Sequence, residues 1–442
     1  MTSKVVDVRG VKVQFPYEPY PCQVTYMDSV IAALQGSTNA LLESPTGTGK
    51  TLCLLCSTLA WRAAEESSTG FLQLPRIIFS SRTHTQLAQV AHELRRTAYP
   101  VRACTLGSRA QMCIHPSISK VKGPLQGRIC SSQGRRQKRC AYWAGYDALQ
   151  QRGEASLAEV DEQIPAVVDV EDLVAYGSAN TVCPYYLSNA LSKRRDVVLT
   201  PYNYIIDRKR RKMLEGVVEG SVVVFDEAHN LDASCTDVIS FEVTSRHVRT
   251  CIEQDRRCPE SAFAPQSFDD LRSFLESLDA RLQDAAKAAR EKAVAAIKKG
   301  GNPPYKGEQF PGTRVRDLFE GLGLSEDNYM SYSEAIGQIS DTVNRSALDS
   351  NGVDEDDGDD NDNGSTQNAK SSSSSTSEIT LALDSLDTMI RTAFEVPREE
   401  ADQYFKVYVE QPSLGEWLLG FWCFSPAVSM RSLVTEGRVR SM

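Results

Sequence analysis

The run Ser44-Pro45-Thr46-Gly47-Thr48-Gly49-Lys50-Thr51 has the residue types and spacing of a phosphate-binding loop, with Ser44 replacing its usual first glycine. Glycines let backbone N–H groups turn toward phosphate oxygens, and the start of a following helix adds partial positive charge. In this arrangement Lys50 reaches the β- and γ-phosphates, and the Thr51 hydroxyl ligates Mg²⁺. We therefore predict that these eight residues bind a nucleoside triphosphate with Mg²⁺.

A second motif, Asp226-Glu227-Ala228-His229, directly follows the apolar run 222–225. At the end of a buried strand, Asp226 would hold Mg²⁺ through water, and Glu227 would orient and deprotonate the attacking water. His229 would relay the nucleotide state to the rest of the protein. Alone the string is equally typical of a solvated loop, but the upstream phosphate-binding loop favours a hydrolytic site. The predicted catalytic residues are Lys50, Asp226, Glu227 and His229.

The nucleobase is predicted to bind near the N-terminus, where Phe15-Pro16-Tyr17 and Tyr20-Pro21-Cys22-Gln23 precede the first helix. A glutamine carboxamide offers both a donor and an acceptor to an adenine edge, which would make ATP the nucleotide. An aromatic ring there could stack on the base. Ordinary packing against the first helix is the alternative, and spacing alone leaves it open.

Four cysteines form a loose series with the spacing C-x16-C-x9-C-x42-C, namely Cys113, Cys130, Cys140 and Cys183. Zinc ribbons bring their ligands in CxxC knuckles, which this series lacks. Thiolates on irregular loops suit an iron–sulfur cluster. Spacing alone leaves three interpretations open: an iron–sulfur cluster, a zinc site, and unliganded core cysteines.

Composition excludes some classes of protein. With 442 residues, 41% of them hydrophobic, the chain is long enough for roughly two or three domains and is not wholly disordered. Its net charge of −9 would argue against nucleic acid, but residues 349–378 hold nine acids and one lysine, and the remainder carries about −1. A signal peptide and an 18-residue apolar run are absent from the sequence, so the 12 cysteines are expected to be reduced thiols.

Four short apolar runs are spaced like strands of one parallel sheet, namely 39–42, 76–80, 196–200 and 221–225. The last is continuous and β-branched, as in strands buried on both faces. Helical patterns at 50–64 and 86–96 alternate with them. This rhythm predicts an α/β fold with a doubly covered parallel sheet.

Two interruptions break that rhythm, at about 104–188 and 241–405. The second contains apolar residues at three- and four-residue steps from 268 to 297, which predict one helix roughly 45 Å long. Residues 302–312 are predicted as a Pro/Gly-rich loop. The acidic and serine-rich stretch 349–378 cannot bury apolar area, so disorder is predicted there.

Taken together, these motifs resemble the iron–sulfur superfamily-2 DNA helicases, the group of the xeroderma pigmentosum D and Fanconi anaemia J helicases. The strings that carry the resemblance lie at 43–56, 81–87, 106–109, 113–116, 182–187, 201–204, 225–230 and 422–426. The resemblance is good over about 11–232 and again over 422–434. It covers little of the sequence between them.

The resemblance implies a RecA-like motor lobe interrupted by an iron–sulfur domain and a mostly helical Arch domain. The implied boundaries are 1–103 and 189–240 for the lobe, 104–188 for the iron–sulfur domain, 241–405 for the Arch with its insert 349–378, and 406–442 for a return to the lobe. Gln23 becomes the adenine sensor, and a 4Fe–4S cluster is assigned the ligands Cys113, Cys130, Cys140 and Cys183. Single-stranded DNA is assigned to Ser81, Arg82, Thr83, His84, Tyr202 and Asn203, and the basic residues Arg135, Arg136, Lys138 and Arg139 are further candidates for phosphate contact.

The implied function is an ATP-dependent 5′→3′ DNA helicase of telomere maintenance and repair that unwinds intermediates such as D-loops. The expected partners are single-stranded DNA and duplex junctions, with replication or repair proteins as further candidates. The protein is expected to be nuclear and monomeric, and no membrane is expected among its partners. The second RecA-like lobe, with its arginine fingers, is missing from the sequence, so the chain alone is expected to hydrolyse ATP very slowly. The alternatives are a non-catalytic fragment that binds ATP and single-stranded DNA, or a Fanconi J-like or sister-chromatid-cohesion helicase.

Overall fold

The computed structural model describes residues 4–69, 74–121, 123–131, 140–258, 265–298, 307–350 and 366–442. The strands are β1 (Lys4–Val8), β2 (Val11–Phe15), β3 (Ile77–Ser81), β4 (Ala103–Thr105), β5 (Val167–Val168), β6 (Val197–Pro201), β7 (Val222–Phe225), β8 (Phe241–Thr244), β9 (Gly307–Pro311), β10 (Phe405–Glu410) and β11 (Leu418–Cys423). The helices are α1 (Pro21–Gly36), α2 (Lys50–Thr69), α3 (His84–Arg96), α4 (Arg109–Met112), α5 (Pro124–Ile129), α6 (Ala141–Gln151), α7 (Glu154–Gln163), α8 (Val170–Asn180), α9 (Pro184–Ser192), α10 (Tyr202–Ile206), α11 (Arg208–Arg211), α12 (Leu231–Val238), α13 (Ser245–Arg257), α14 (Pro265–Lys298), α15 (Thr313–Glu320), α16 (Tyr329–Ser350), α17 (Thr366–Glu395), α18 (Arg398–Tyr404) and α19 (Ala427–Gly437).

The chain forms two compact units. The first, the motor unit, comprises residues 1–119, 137–238 and 429–442. The second, the helical unit, comprises 120–136 and 239–428. Among the described residues, no helix combines the length and apolar content needed to cross a membrane.

A parallel sheet of order β5-β4-β6-β3-β7 forms the centre of the motor unit. β3 pairs with both β6 and β7, so that Ile77 lies opposite Val197 on one side and Val222 on the other. Side chains of the central strands are buried on both faces, as the continuous apolar runs predicted. The predicted α/β fold and three of its four strands are therefore confirmed.

The prediction of a fourth strand at residues 39–42 is wrong. The segment 440–442 lies between residue 40 and β7, since Ala40 N–H donates to Met442 O (2.9 Å) and Ser441 forms a parallel bridge with Val222. Residues 39–42 therefore stand next to this short segment instead of a long neighbouring strand, and they do not form a regular ladder. The last residues of the chain thus return to the sheet.

In the helical unit, helices pack on one face of an antiparallel sheet of order β8-β11-β10-β9. The long predicted helix is confirmed as α14, whose buried residues recur at helical spacing: Leu271, Leu275, Leu278, Leu282 and Ala286. Phe274 on α14 meets Phe319 edge-on at 5.5 Å between ring centroids. These contacts form the hydrophobic core of this unit.

Several predicted boundaries differ from the structure. The return to the motor unit comes at residue 429 and not at 406, because β10 and β11 pair with β8 and β9 and bury Phe405, Val407 and Val409 in the core of the helical unit. The predicted loop 302–312 contains β9. Within the predicted iron–sulfur domain 104–188, the described residues 120–121 and 123–131 group with the helical unit.

The prediction of disorder over 349–378 is wrong at both ends of that stretch. Residues 349–350 end α16, and 366–378 begin α17, whereas 351–365 lie outside the described residues. Thr376 and Thr380 are buried, and the apolar face continues through Leu383 and Leu386. Once the apolar face of α17 is packed, adding further polar residues to the helix costs little free energy.

Candidate nucleotide-binding site

The phosphate-binding loop leads directly into α2 and is largely solvent-accessible. Gly47 and Gly49 have φ values of +78° and +74°, a backbone region that glycine enters without steric penalty. The Thr48 hydroxyl lies 2.7 Å from the Ser44 hydroxyl and donates to Pro45 O (2.9 Å), which closes the loop on itself. Lys50 Nζ donates to the carbonyl oxygens of Ser44 and Pro45, each at 3.2 Å, so the ammonium group lies inside the loop.

Gln23 lies directly beside this loop. Its Nε2 donates to Thr48 O (3.0 Å), while its Oε1 accepts from Tyr20 N–H (2.9 Å) at the start of α1. The side chain is largely buried, and the carboxamide thus connects the aromatic N-terminal segment to the loop. Its predicted contact with adenine remains a prediction.

A Gly49→Ala substitution should weaken nucleotide binding more than Gly47→Ala does. Both positions carry the left-handed backbone penalty, but a Cβ at Gly49 would lie 2.9 Å from Gln23 Nε2, whereas Gly47 has open space. We expect a further loss of about fivefold in ATP affinity for Gly49→Ala, the worth of roughly one hydrogen bond. Titration with a fluorescent ATP analogue measures it, and equal affinities for the two variants would contradict it.

Two distant parts of the sequence meet at Asp226. The Thr51 hydroxyl donates to Asp226 Oδ2 (2.8 Å), and Glu227 N–H donates to Oδ1 (3.0 Å). Asp226 is 7% exposed, and burial raises the pKa of its carboxyl group, with the Thr51 hydrogen bond opposing that shift. A hydroxyl and a carboxylate in contact are oxygen donors of the kind that Mg²⁺ prefers, so these residues fit the predicted ion.

Glu227 and His229 follow on a sharp turn after β7. Glu227 has φ +58°, a conformation that is uncommon for a residue with a Cβ and is often found at functional sites. Its Oε2 lies 3.2 Å from His229 Nδ1, and both side chains are substantially exposed. The carboxylate is therefore accessible to water, as a general base must be.

The first segment predicted to contact DNA begins at the carboxyl end of β3. Ser81 is buried, and its hydroxyl donates to Gln86 Oε1 (3.0 Å). Thr83 caps α3, since its hydroxyl accepts from Gln86 N–H (3.3 Å), while Arg82 is exposed. His84 Nδ1 is buried without a hydrogen-bond partner within the described part of the chain, and burial lowers the pKa of this imidazole.

The second segment begins at the end of β6, the neighbour of β3. Asn203 Oδ1 is another buried polar atom that lacks a hydrogen-bond partner among the described residues. Tyr202 is only 3% exposed, and its hydroxyl donates to the backbone carbonyl of Asp226. Direct contact between the Tyr202 side chain and DNA would require this ring to leave the core, so the structure gives it a different contact from the predicted one.

The four cysteines of the predicted cluster lie at helix ends. Cys113 ends α4, Cys140 and Cys183 precede α6 and α9, and Cys130 ends α5 in the helical unit. Cys183 N–H donates to Tyr142 O (2.9 Å), which brings the Cys140 and Cys183 segments together. The described residues contain no compact group of three or more potential ligands for a metal ion. The chemistry of these thiols fits an iron–sulfur cluster. The intervening residues 132–139, which include the basic candidates for phosphate contact, lie outside the described residues.

Two glycines that sequence reasoning missed hold the Cys183 segment in place. A Cβ at Gly145 of α6 would lie 2.0 Å from Thr181 O, and one at Gly177 of α8 would lie 2.4 Å from Val182 O. Backbone therefore passes directly over both helices just before Cys183. Recognising these stretches as helical would have supplied the signal, because a glycine inside a helical pattern often marks close backbone approach.

We expect Gly145→Ala to destabilise the motor unit by about 2–4 kcal/mol, as overpacking against immobile backbone does. Gly36→Ala, at the end of α1, is the matched control, since its Cβ would make only ordinary contacts of 3.5 Å or more. Thermal unfolding measures both. A Gly145→Ala melting midpoint equal to that of Gly36→Ala would show that the segment before Cys183 is not held as described.

Similar sequences and structures are found among known proteins. Residues 79–248 match the family model described as DEAD_2. The chain is 32% identical to mouse regulator of telomere elongation helicase 1 over 98% of its own length and 39% of the relative, and 31% identical to the human protein over 99% and 39%. The Arabidopsis thaliana homolog is 30% identical over 98% of this chain and 42% of the relative.

The chain is thus similar, over nearly its whole length, to proteins named regulator of telomere elongation helicase 1. It spans about two fifths of the length of these curated relatives. Among solved structures, an XPD helicase gives a TM-score of 0.48 at 15% identity over 96% of this chain and 57% of that one, and a truncated XPD gives 0.45 at 15% identity over 94% and 90%. The predicted resemblance to these helicases is confirmed by the sequence matches.

Proposed function

We propose that the chain is the nucleotide-binding part of an ATP-dependent 5′→3′ DNA helicase of telomere maintenance and DNA repair, which unwinds intermediates such as D-loops. The observation that carries the proposal is the contact between the Thr51 hydroxyl and Asp226 Oδ2 at 2.8 Å. Residues 175 positions apart are thereby joined at the end of a parallel sheet, where such folds bind ligands.

The chemistry of the site follows from its own side chains. The backbone of the loop and the start of α2 offer N–H groups to phosphate oxygens, and Lys50 supplies a positive charge. Mg²⁺, when bound by Thr51 and Asp226, would neutralise charge that develops on the phosphates. Glu227, exposed on its turn, would orient water and accept its proton.

Single-stranded DNA is proposed to bind across the carboxyl ends of β3 and β6. The unsatisfied buried atoms, His84 Nδ1 and Asn203 Oδ1, support this placement because such atoms are normally paired. Arg82 is exposed beside them and can contact phosphate. We also propose, from the family, a 4Fe–4S cluster on Cys113, Cys130, Cys140 and Cys183, a nuclear location and a monomeric state.

The hydrolytic rate of this chain alone is proposed to be very low. In this class of motor, an arginine from a second lobe stabilises the transition state, and such a residue is worth about 10³-fold or more. We therefore expect ATP–Mg²⁺ binding and slow turnover from the 442-residue chain, and DNA-stimulated turnover when a second lobe is added to it.

The deciding experiment measures ATP–Mg²⁺ binding, single-stranded DNA binding and ATP turnover by the purified chain, alone and extended by a second motor lobe. The helicase proposal expects DNA-stimulated turnover in the extended protein. Salt-sensitive DNA binding without any stimulated turnover would instead favour the non-catalytic fragment. Absence of ATP binding would contradict both.

The cluster is tested by its iron and sulfide content. We expect the purified protein to be brown, with broad visible absorbance that Cys140→Ser strongly reduces. Cys235→Ser is the matched control, because Cys235 is a fully buried cysteine of the motor unit that is not assigned as a ligand. Zinc in place of iron, or no bound metal, would overturn the cluster assignment.

A further inference from the structure

Both peptide groups of Asp226 are held by the strands that carry the proposed DNA segments. Asp226 N–H donates to Ser80 O (2.9 Å) on β3. The Tyr202 hydroxyl, directly after β6, donates to Asp226 O. The backbone on either side of the Asp226 carboxylate is thus fixed by two different segments of the sheet edge.

Tyr202 is held in turn by the core. Its ring lies edge-on to Phe225 with 5.7 Å between centroids and packs with Ile206 and Cys235. The phenol is thus held by packing around its ring and by the hydrogen bond from its hydroxyl to Asp226 O.

Asp226, whose carbonyl accepts the Tyr202 hydrogen bond, has to meet two geometric requirements. The Asp226 carboxylate must face Thr51 at 2.8 Å while Glu227, the next residue, adopts its left-handed conformation. An uncommon backbone conformation of this kind persists only where its surroundings fix it. The Tyr202 hydrogen bond to the intervening carbonyl is one such restraint.

We propose that Tyr202 is a positioning residue, whose hydroxyl holds Asp226 and Glu227 in place for ATP–Mg²⁺ and links the 201–204 segment to the nucleotide site. This inference rests on the proposed function, since it concerns the same site. It assigns to Tyr202 a role in place of the direct DNA contact predicted for its side chain.

The test compares Tyr202→Phe with Tyr204→Phe in the full chain. Tyr204 is a matched control because it is also buried, and its hydroxyl donates to Gly107 O (3.1 Å) instead of to Asp226. Binding of a fluorescent ATP analogue is titrated with Mg²⁺. We expect Tyr202→Phe to raise the half-saturating Mg²⁺ concentration about fivefold and Tyr204→Phe to leave it unchanged.

Affinity for a single-stranded oligonucleotide should be the same in both variants, because neither hydroxyl is proposed to touch DNA. Equal Mg²⁺ requirements in the two variants, whether changed or unchanged, would overturn the positioning role. Loss of DNA affinity confined to Tyr202→Phe would also overturn it, in favour of direct contact. Failure of the unsubstituted chain to bind the ATP analogue would instead refute the proposed function.

Discussion

Replacing Lys50 with alanine should weaken ATP–Mg²⁺ binding by about ten- to a hundredfold. The ammonium group lies inside the loop, where its two partners are neutral carbonyl oxygens at 3.2 Å. Its positive charge is therefore not cancelled by these contacts and is available to a triphosphate. A charged hydrogen bond is worth about 1.5–3 kcal/mol, and each 1.4 kcal/mol is tenfold in affinity.

The measurement is a titration of the full chain with a fluorescent ATP analogue at saturating Mg²⁺. Lys12→Ala is the control, since Lys12 is an exposed lysine on β2 and should have no effect. An unchanged affinity for Lys50→Ala would show that the loop does not bind phosphate as proposed.

Glu227→Gln completes the comparison because it should separate binding from hydrolysis. The amide keeps the size of the side chain but cannot accept the proton of the attacking water. We expect ATP affinity within about twofold of the unsubstituted chain. In the protein extended by a second motor lobe, we expect single-turnover hydrolysis at least about 100-fold slower. Equal hydrolysis rates would remove Glu227 from the catalytic role.

The motor sheet and its phosphate-binding loop could be predicted because their signals are local. A continuous β-branched run such as 222–225 predicts a strand buried on both faces, and the motif 44–51 identifies its own chemistry. Residues 39–42 show the limit of this reasoning. Their pairing depends on Ser441 and Met442, about 400 positions away, and nothing in the local sequence contains that information.

The helical unit was predicted less well for the same physical reason. β8 pairs with β11, so that Glu242 lies opposite Gly420, and β9 is a Pro- and Gly-flanked run that becomes a strand only beside β10. Such edge strands have weak intrinsic preference and form because a partner is present. The role of Tyr202 was likewise hidden, because its contact with Asp226 joins two motifs that sequence reasoning treats separately.

Two adjacent arginines differ strongly in burial, and we expect them to differ in their contributions to stability. Arg194 and Arg195 stand side by side in the sequence, yet the Arg195 side chain is fully buried and that of Arg194 is 30% exposed. Arg195 Nη1 donates to Ala166 O (2.6 Å) and Pro165 O (3.1 Å), and its Nε lies 2.7 Å from Asp161 Oδ1. These contacts therefore hold residues 165–166, which lead into β5, against the rest of the sheet.

Replacing Arg195 with methionine should therefore destabilise the motor unit by about 3–5 kcal/mol. Methionine fills similar volume, but the substitution leaves the largely buried Asp161 carboxylate with Arg102 as its remaining ion-pair partner. It also removes the side-chain donor to Pro165 O and Ala166 O, of which Ala166 O keeps the Ala103 N–H. Because the two backbone carbonyls directly precede β5, that edge of the sheet should loosen first, which hydrogen exchange of the Val167 and Val168 amides can detect.

Arg194→Met provides the comparison that makes the result specific. Arg194 pairs with Glu154, whose side chain is 83% exposed, and exposed ion pairs contribute about 0–1 kcal/mol. Thermal unfolding of the two variants should thus differ by about 10 °C, given the usual shift of roughly 2–4 °C per kcal/mol for a unit of this size. Similar midpoints would mean that the buried pair with Asp161 does not hold the sheet edge. A large shift confined to Arg195→Met, with ATP binding retained at low temperature, would show that this edge supports the fold independently of the nucleotide site.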